Sequence, residues 1–168
     1  EETITKQKLG YVVGGRYNNC ISIPYLNPYG KGIRMIRYRF LDEEAPHKYE
    51  SVKGTTTHLY NVENVTSSQV WICEGEFDAL VLSQLGFPAV AVPGSHGFKN
   101  DWKYLFTNCD TVSLVFDGDN AGADGSKKIA SMLGPVVEDL RVISLPGGLD
   151  ITDYYFLNQE SLIQLVGN

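Results

Sequence analysis

The chain has 168 residues, 43% of them hydrophobic and 17 of them Gly, which is enough to bury one good core, or one core with a small satellite domain. The uncharged stretch between Ala79 and Lys99 is interrupted by Gln84, Gly86, Pro88, Pro93 and Gly94, which excludes a membrane span there, and residues 1 to 15 lack the apolar core of a signal peptide. The net charge of −6 is divided unevenly: residues 1–69 hold nine Lys/Arg against seven Asp/Glu, and residues 70–168 hold five against thirteen. An acidic second half repels phosphates unless a cation is bound to it, whereas attraction to nucleic acid depends on local Lys and Arg and not on the total charge.

In chain order, Tyr11 to Phe40 alternates short apolar pieces with turns: Cys20 to Pro24, then Asn27-Pro28-Tyr29-Gly30, then Ile33 to Phe40. This predicts a hairpin-rich β subdomain over residues 1–69, with Arg37 and Arg39 two apart and therefore on one strand face. From Val70 the rhythm becomes strand, helix, strand, helix. Strands are expected at Val70–Cys73, Ala89–Val92, Val112–Phe116 and Arg141–Leu145, and helices at Phe77–Leu85, Asn100–Phe106, Gly125–Leu133 and Ile151–Leu157, the last capped near Asp150. That alternation predicts an α/β domain over residues 70–168, a parallel sheet flanked by helices.

Cys20, Cys73 and Cys109 are odd in number and lack CxxC spacing, which points away from structural zinc or a disulfide framework. Free buried thiols in a reducing cytoplasm are expected instead. Because the chain begins at Glu1 without Met, a fragment or processed product is also expected.

The carboxylates are the chemical signal. Glu74 follows the apolar run Val70 to Cys73 and opens into Gly75; Asp117 and Asp119 follow Val112 to Phe116 and flank Gly118. In an open α/β sheet the ligand crevice lies beyond the carboxyl ends of the strands, so both groups are expected to face one crevice. Two like charges about 4 Å apart cost about 1 kcal/mol in bulk water and about four times as much at an effective dielectric near 20. Hard oxygen ligands with open positions suit Mg²⁺, completed by water and substrate phosphates, and so point to phosphoryl or nucleotidyl chemistry.

Glu74-Gly75-Glu76-Phe77-Asp78-Ala79 and, about forty residues later, Asp117-Gly118-Asp119-Asn120-Ala121-Gly122 resemble the two signatures of the Toprim domain, and most of all those of bacterial-type DNA primases and phage primase-helicases. Arg16-Tyr17-Asn18 through Ile23-Pro24, Gly30 and Arg39 follow the same family's order. Pro46-His47-Lys48-Tyr49 and Leu59-Tyr60 resemble its Pro-Lys-Tyr and Leu-Tyr-Gly elements, so the resemblance covers residues 16 to 156. It implies a Toprim domain preceded by a small β-rich subdomain. It also implies catalytic Mg²⁺, with Mn²⁺ as the alternative, on Glu74, Asp117 and Asp119, with Asp78 supporting and with Asp150 and Asp153 matching a later acidic element. Lys48 matches a family lysine near the active site. Arg34, Arg37, Arg39, Lys48 and Lys53 are the candidates for contacting single-stranded template or incoming ribonucleoside triphosphate, and Tyr38 and Tyr49 are candidates for stacking on bases.

The residues themselves leave other roles open. The Arg run also reads as a solvated charged face, Asp78 as a complement to a helix N-terminus, and Asp150 and Asp153 as helix caps. His96 lies in a loop where it could touch a phosphate, while His47 and His58 have no ligand spacing. Asn120 stands where bacterial-type primases usually carry a basic residue. The sequence shows no zinc ribbon before residue 16 and no helical subdomain after the Toprim region, so template recognition is expected on missing sequence or on another chain, such as a separate zinc-ribbon domain or a replicative helicase. The expected function is template-directed synthesis of short RNA primers. The alternatives are a Toprim nuclease using the same cluster, or a metal- and single-stranded-DNA-binding module without independent catalysis. An Asp-x-Asp phosphatase fits less well, because Ala121 stands where Thr or Val is needed and only 49 residues follow Asp119.

Overall fold

The computed structural model describes residues 1–29, 32–66, 68–94 and 97–167. The expected turn residue Gly30 and the loop histidine His96 lie outside the described residues. Two compact units divide the chain, Glu1–His58 and Leu59–Asn168. The division falls earlier than the boundary expected after residue 69, because Leu59, Val62 and Val65 are buried in the second unit's core and carry the 3₁₀ turn Val62–Thr66 with them.

In the first unit a short helix α1 (Glu2–Lys6) precedes four strands, β1 (Gly10–Val12), β2 (Cys20–Leu26), β3 (Ile33–Phe40) and β4 (Tyr49–Ser51), which pair antiparallel in the order β1-β2-β3-β4. Pro24 falls beyond the reach of the short β1, on a stretch of β2 with one neighbouring strand, a placement that a residue without an N–H tolerates. Arg37 pairs with Ser51 and Arg39 with Tyr49, so both arginines and Tyr49 lie on one face. Arg34 sits where the register of β2 and β3 shifts between Tyr25 and Leu26.

The second unit holds β5 (Gln69–Cys73), α2 (Glu76–Gln84), β6 (Ala89–Ala91), β7 (Thr111–Phe116), α3 (Asn120–Leu133), β8 (Asp139–Ser144), α4 (Ile151–Leu157) and α5 (Gln159–Gly167). Its sheet runs β6-β5-β7-β8 with every pair parallel. Val70 to Cys73 and Val112 to Phe116 are buried throughout, as central parallel strands covered on both faces must be. On one face Val70, Ile72, Val90, Val112 and Leu114 pack with Phe98, Phe106, Ile129 and Leu133. On the other, Trp71 meets Phe87 edge to face at 4.9 Å, and its indole N–H donates to the Val166 carbonyl at 3.0 Å.

The differences from expectation have local causes. Asn100–Phe106 is a 3₁₀ helix. Helix α3 starts at Asn120 and not at Gly125, because Asp119 caps it by accepting from the Gly122 N–H at 2.7 Å. Gly122 serves close packing there, since a Cβ on it would lie 2.3 Å from the Asp117 carbonyl oxygen. The unanticipated α5 is held by Leu162 and Val166, both buried. No helix among the described residues is long and apolar enough to cross a membrane.

Replacing Trp71 by Phe keeps the ring but strands the Val166 carbonyl. The variant is expected to lose about 1 to 3 kcal/mol of stability in urea unfolding at unchanged m-value, with the earliest loss of amide protection in α5.

Candidate active site

Strand β5 leads through α2 to β6 on one side, and the chain then returns to β7 on the other, so the order of strands reverses between β5 and β7. Adjacent strands that part in this way open a crevice at their carboxyl ends. Cys73 pairs in register with Val115, so Glu74 and Asp117 leave the sheet at the same edge from neighbouring strands. The turn after β7 is seated tightly: the Gly118 N–H donates to the Leu149 carbonyl at 3.0 Å. A Cβ at Gly118 would lie 2.6 Å from the Leu145 oxygen and 3.0 Å from the Gly148 nitrogen. Only glycine permits that approach, which draws the loop carrying Asp150 beside the Asp117-Gly118-Asp119 turn.

Electrostatics show that the acidic groups share one field. Burial, then the neighbouring Glu74, Asp150, Asp119 and Asp153, push the Asp117 carboxyl up to about 6. Asp78, in the first turn of α2, is 7% exposed. Its carboxyl is pushed up to about 7 by burial and then by Asp150, against the pull of two hydrogen bonds from Thr152, with Asp117 adding to the rise. Beneath them the Cys73 thiol is held well above its ordinary value by burial and by the charges of Asp78, Glu76, Asp117 and Glu74. It donates to the Val90 carbonyl at 3.3 Å.

Glu74, Asp78, Asp117, Asp119 and Asp150, the expected metal residues, are thus brought into one neighbourhood. Among the described residues, however, no three His, Cys, Asp or Glu side chains gather closely enough to hold an ion. Several of the carboxylates are turned to local partners. Asp119 accepts from Gly122 N–H, Asp150 caps α4 by accepting from Asp153 N–H at 2.6 Å, and Asp78 accepts from Thr152. The donor set nevertheless fits a hard divalent cation: every acidic group is an oxygen donor, and burial and mutual repulsion penalise the charged forms of Asp78 and Asp117, a penalty that an added dication would relieve.

The expected nucleic-acid residues all lie in the first unit. Arg39 and Lys48 line a cleft of about 410 Å³ together with Phe40, Leu41, Asp42, Glu43 and Ala45. The guanidinium of Arg37 lies 4.5 Å from the Tyr49 ring centre and that of Arg39 5.1 Å from it, while Arg39 also donates to the Tyr49 hydroxyl at 2.6 Å. Tyr38 stacks on Tyr17 with ring centres 3.8 Å apart. Both tyrosines expected to stack on bases therefore already have ring faces engaged within the protein. Arg34 and Lys53 are exposed and do not line the cleft. Arg16, quoted only as part of a motif, forms an ion pair with Glu50. Thr152 was missed as a site residue; its sole sequence signal was its place between Asp150 and Asp153.

A parallel sheet whose two central strands each end in an acidic glycine turn is the architecture of the Toprim class. The chain belongs to the Toprim-like family, whose model matches residues 71–155. The gene 57 protein of Mycobacterium phage D29 is 35% identical over 140 residues, covering 80% of this chain and 89% of that protein. A DNA primase of Rickettsia typhi is 34% identical over 165 residues, covering 89% of this chain but 27% of the primase, so the chain spans about a quarter of that relative's length. The solved structure of the DnaG catalytic core matches with a TM-score of 0.81 at 20% identity, over 98% of this chain and 68% of that one, a likeness of fold.

Two outcomes follow from this geometry. The folded-state values of Asp78 and Asp117 lie above those of an unfolded chain, so the stability they contribute is fully present below about pH 4 and is lost as pH rises toward about 7. Melting of metal-free protein is expected to fall across that window, to recover on adding Mg²⁺ or Mn²⁺ at pH 8, and to flatten in Asp78→Asn. Gly118→Ala, which drives a Cβ into backbone, is expected to cost about 1 to 3 kcal/mol in thermal unfolding.

Proposed function

We propose that this chain is the catalytic core of a DNA primase of phage or mobile-element type, which makes short RNA primers on single-stranded DNA from ribonucleoside triphosphates. What supports the reading above all is the extent of the likeness. It runs over 165 residues and so takes in both compact units. A nuclease sharing only the Toprim region would leave the basic first unit without a counterpart.

Glu74, Asp117 and Asp119 would hold Mg²⁺ or Mn²⁺, with Asp78 and Asp150 completing the acidic surround. A bound dication neutralises triphosphate oxygens and offsets the charge that develops at the α-phosphate. No protein nucleophile is needed, because the attacking group is the 3′-hydroxyl of the growing strand. Lys48 and Arg39, at the walls of one cleft, are suited to phosphates of the incoming nucleotide or template, and the planar guanidinium offers a two-pronged donor. Arg37 extends the same basic face, and Arg34 and Lys53 add charge outside it. Template selection would draw on a separate zinc-ribbon domain or a helicase, in the cytoplasm.

The test is incubation of the chain with single-stranded template, labelled ribonucleotides and Mg²⁺ or Mn²⁺. Template-dependent oligomers are expected from the wild type. Glu74→Ala and Asp117→Ala are expected to lose at least about 100-fold, corresponding to several kcal/mol of lost charge stabilisation. Degradation of the template without nucleotides would assign a nuclease instead, and binding of DNA with neither activity would assign a binding module.

A further inference from the structure

Asp78 is held from two sides. Its Oδ1 accepts two hydrogen bonds from a single residue of α4, from the Thr152 hydroxyl at 2.9 Å and from the Thr152 backbone N–H at 3.2 Å. Its Oδ2 lies beside Gly75, 2.8 Å from where a Cβ would stand, so it occupies the space that the missing side chain leaves next to the turn that carries Glu74. One buried carboxylate therefore ties the Glu74 turn and helix α2 to the first turn of α4, whose cap is Asp150. Asp150 also acts on both Asp78 and Asp117. Without the Thr152 hydroxyl, Asp78 would keep one bond to α4, from the backbone N–H, and would be free to turn about it.

We propose that Thr152 is a positioning residue of the acidic site: its hydroxyl fixes the Asp78 carboxylate and thereby holds helix α2, which follows the Glu74 turn, against the first turn of α4, which Asp150 caps, so that affinity for a divalent cation depends on it. The proposal rests on the reading of the acidic cluster as a cation site, but not on the reaction performed there. Outer partners that orient acidic ligands typically change metal affinity by about 10- to 100-fold when removed. Valine matches the shape of threonine and removes only the hydroxyl bond, since the backbone N–H is common to both. Serine keeps the bond.

The experiment measures Mn²⁺ binding directly, by calorimetry and by the spin-resonance signal of free Mn²⁺, on wild type, Thr152→Val, Thr152→Ser and Gly75→Ala, with circular dichroism and melting recorded for each. Thr152→Val is expected to bind Mn²⁺ about 10-fold more weakly, and Thr152→Ser to stay within about 2-fold of wild type. Gly75→Ala, which displaces Oδ2 from the opposite side, is expected to weaken binding in the same direction. A folded Thr152→Val protein with wild-type Mn²⁺ affinity would overturn the proposal, as would a wild-type chain that binds no Mn²⁺. If Thr152→Val does not fold, Gly75→Ala decides: unchanged Mn²⁺ affinity overturns the proposal. Primer synthesis is assayed in parallel. Mn²⁺ binding that depends on Thr152 in a chain making no primers would refute the primase reading and leave the positioning role standing.

Discussion

Repulsion between carboxylates crowded at one edge of a parallel sheet is the constraint that shapes the acidic cluster of this protein. The order β6-β5-β7-β8 makes β5 and β7 neighbours although a helix, a strand and a 3₁₀ helix separate them along the chain, and each delivers its acidic residue at the same edge of the sheet. Asp117 then meets the field of Glu74, Asp119, Asp150 and Asp153 while half-buried, and its charged form is penalised both by lost hydration and by like neighbours. A site so arranged is relieved in one of two ways, by taking up protons or by taking up a cation. The glycines on the two turns matter in different ways: Gly118 lets the loop backbone approach where a Cβ would collide, and Gly75 leaves room for the Asp78 carboxylate.

Structural duties fall on the same side chains that the proposed cation site would use. Asp119 caps α3 and Asp150 caps α4, each through a single Oδ1. A carboxylate has two oxygens, so accepting one backbone N–H leaves the other oxygen for a ligand. Capping and ligation, which compete as explanations when only residue types are known, are therefore compatible here. Asp78 goes further, because its Oδ1 takes both bonds from Thr152 while Oδ2 rests on the Glu74 turn.

The first unit has the complementary character. Arg37 and Arg39 share a sheet face and clasp Tyr49, which orders two flexible cations at modest entropic cost and presents guanidinium edges beside the Lys48 cleft. The stack of Tyr38 on Tyr17 and the Arg16–Glu50 ion pair anchor the loop between β1 and β2 to the rest of that sheet. Neither aromatic contact was foreseeable from composition, since an exposed tyrosine and a stacked one look alike in sequence.

Much of the architecture was legible because local pattern and global fold agree. Apolar runs closed by Glu74-Gly75 and Asp117-Gly118-Asp119 read as buried parallel strands ending at a crevice, and Asp150 ahead of an apolar-periodic run read as a cap. Other features depend on partners distant in the chain. The start of α3 was obscured by Gly122, a residue that weakens a helix by propensity yet here allows close packing. Helix α5 is secured by Trp71, whose hydrogen bond to Val166 spans 95 positions. Residues 59–66 join the second unit because their apolar side chains find its core. Sequence alone determined which residue types follow which strands, since that is a matter of chain order. Tertiary structure alone decided that Thr152 grips Asp78, 74 positions away, because a hydrogen bond of about 3 Å requires two helices to be packed before either residue can find the other.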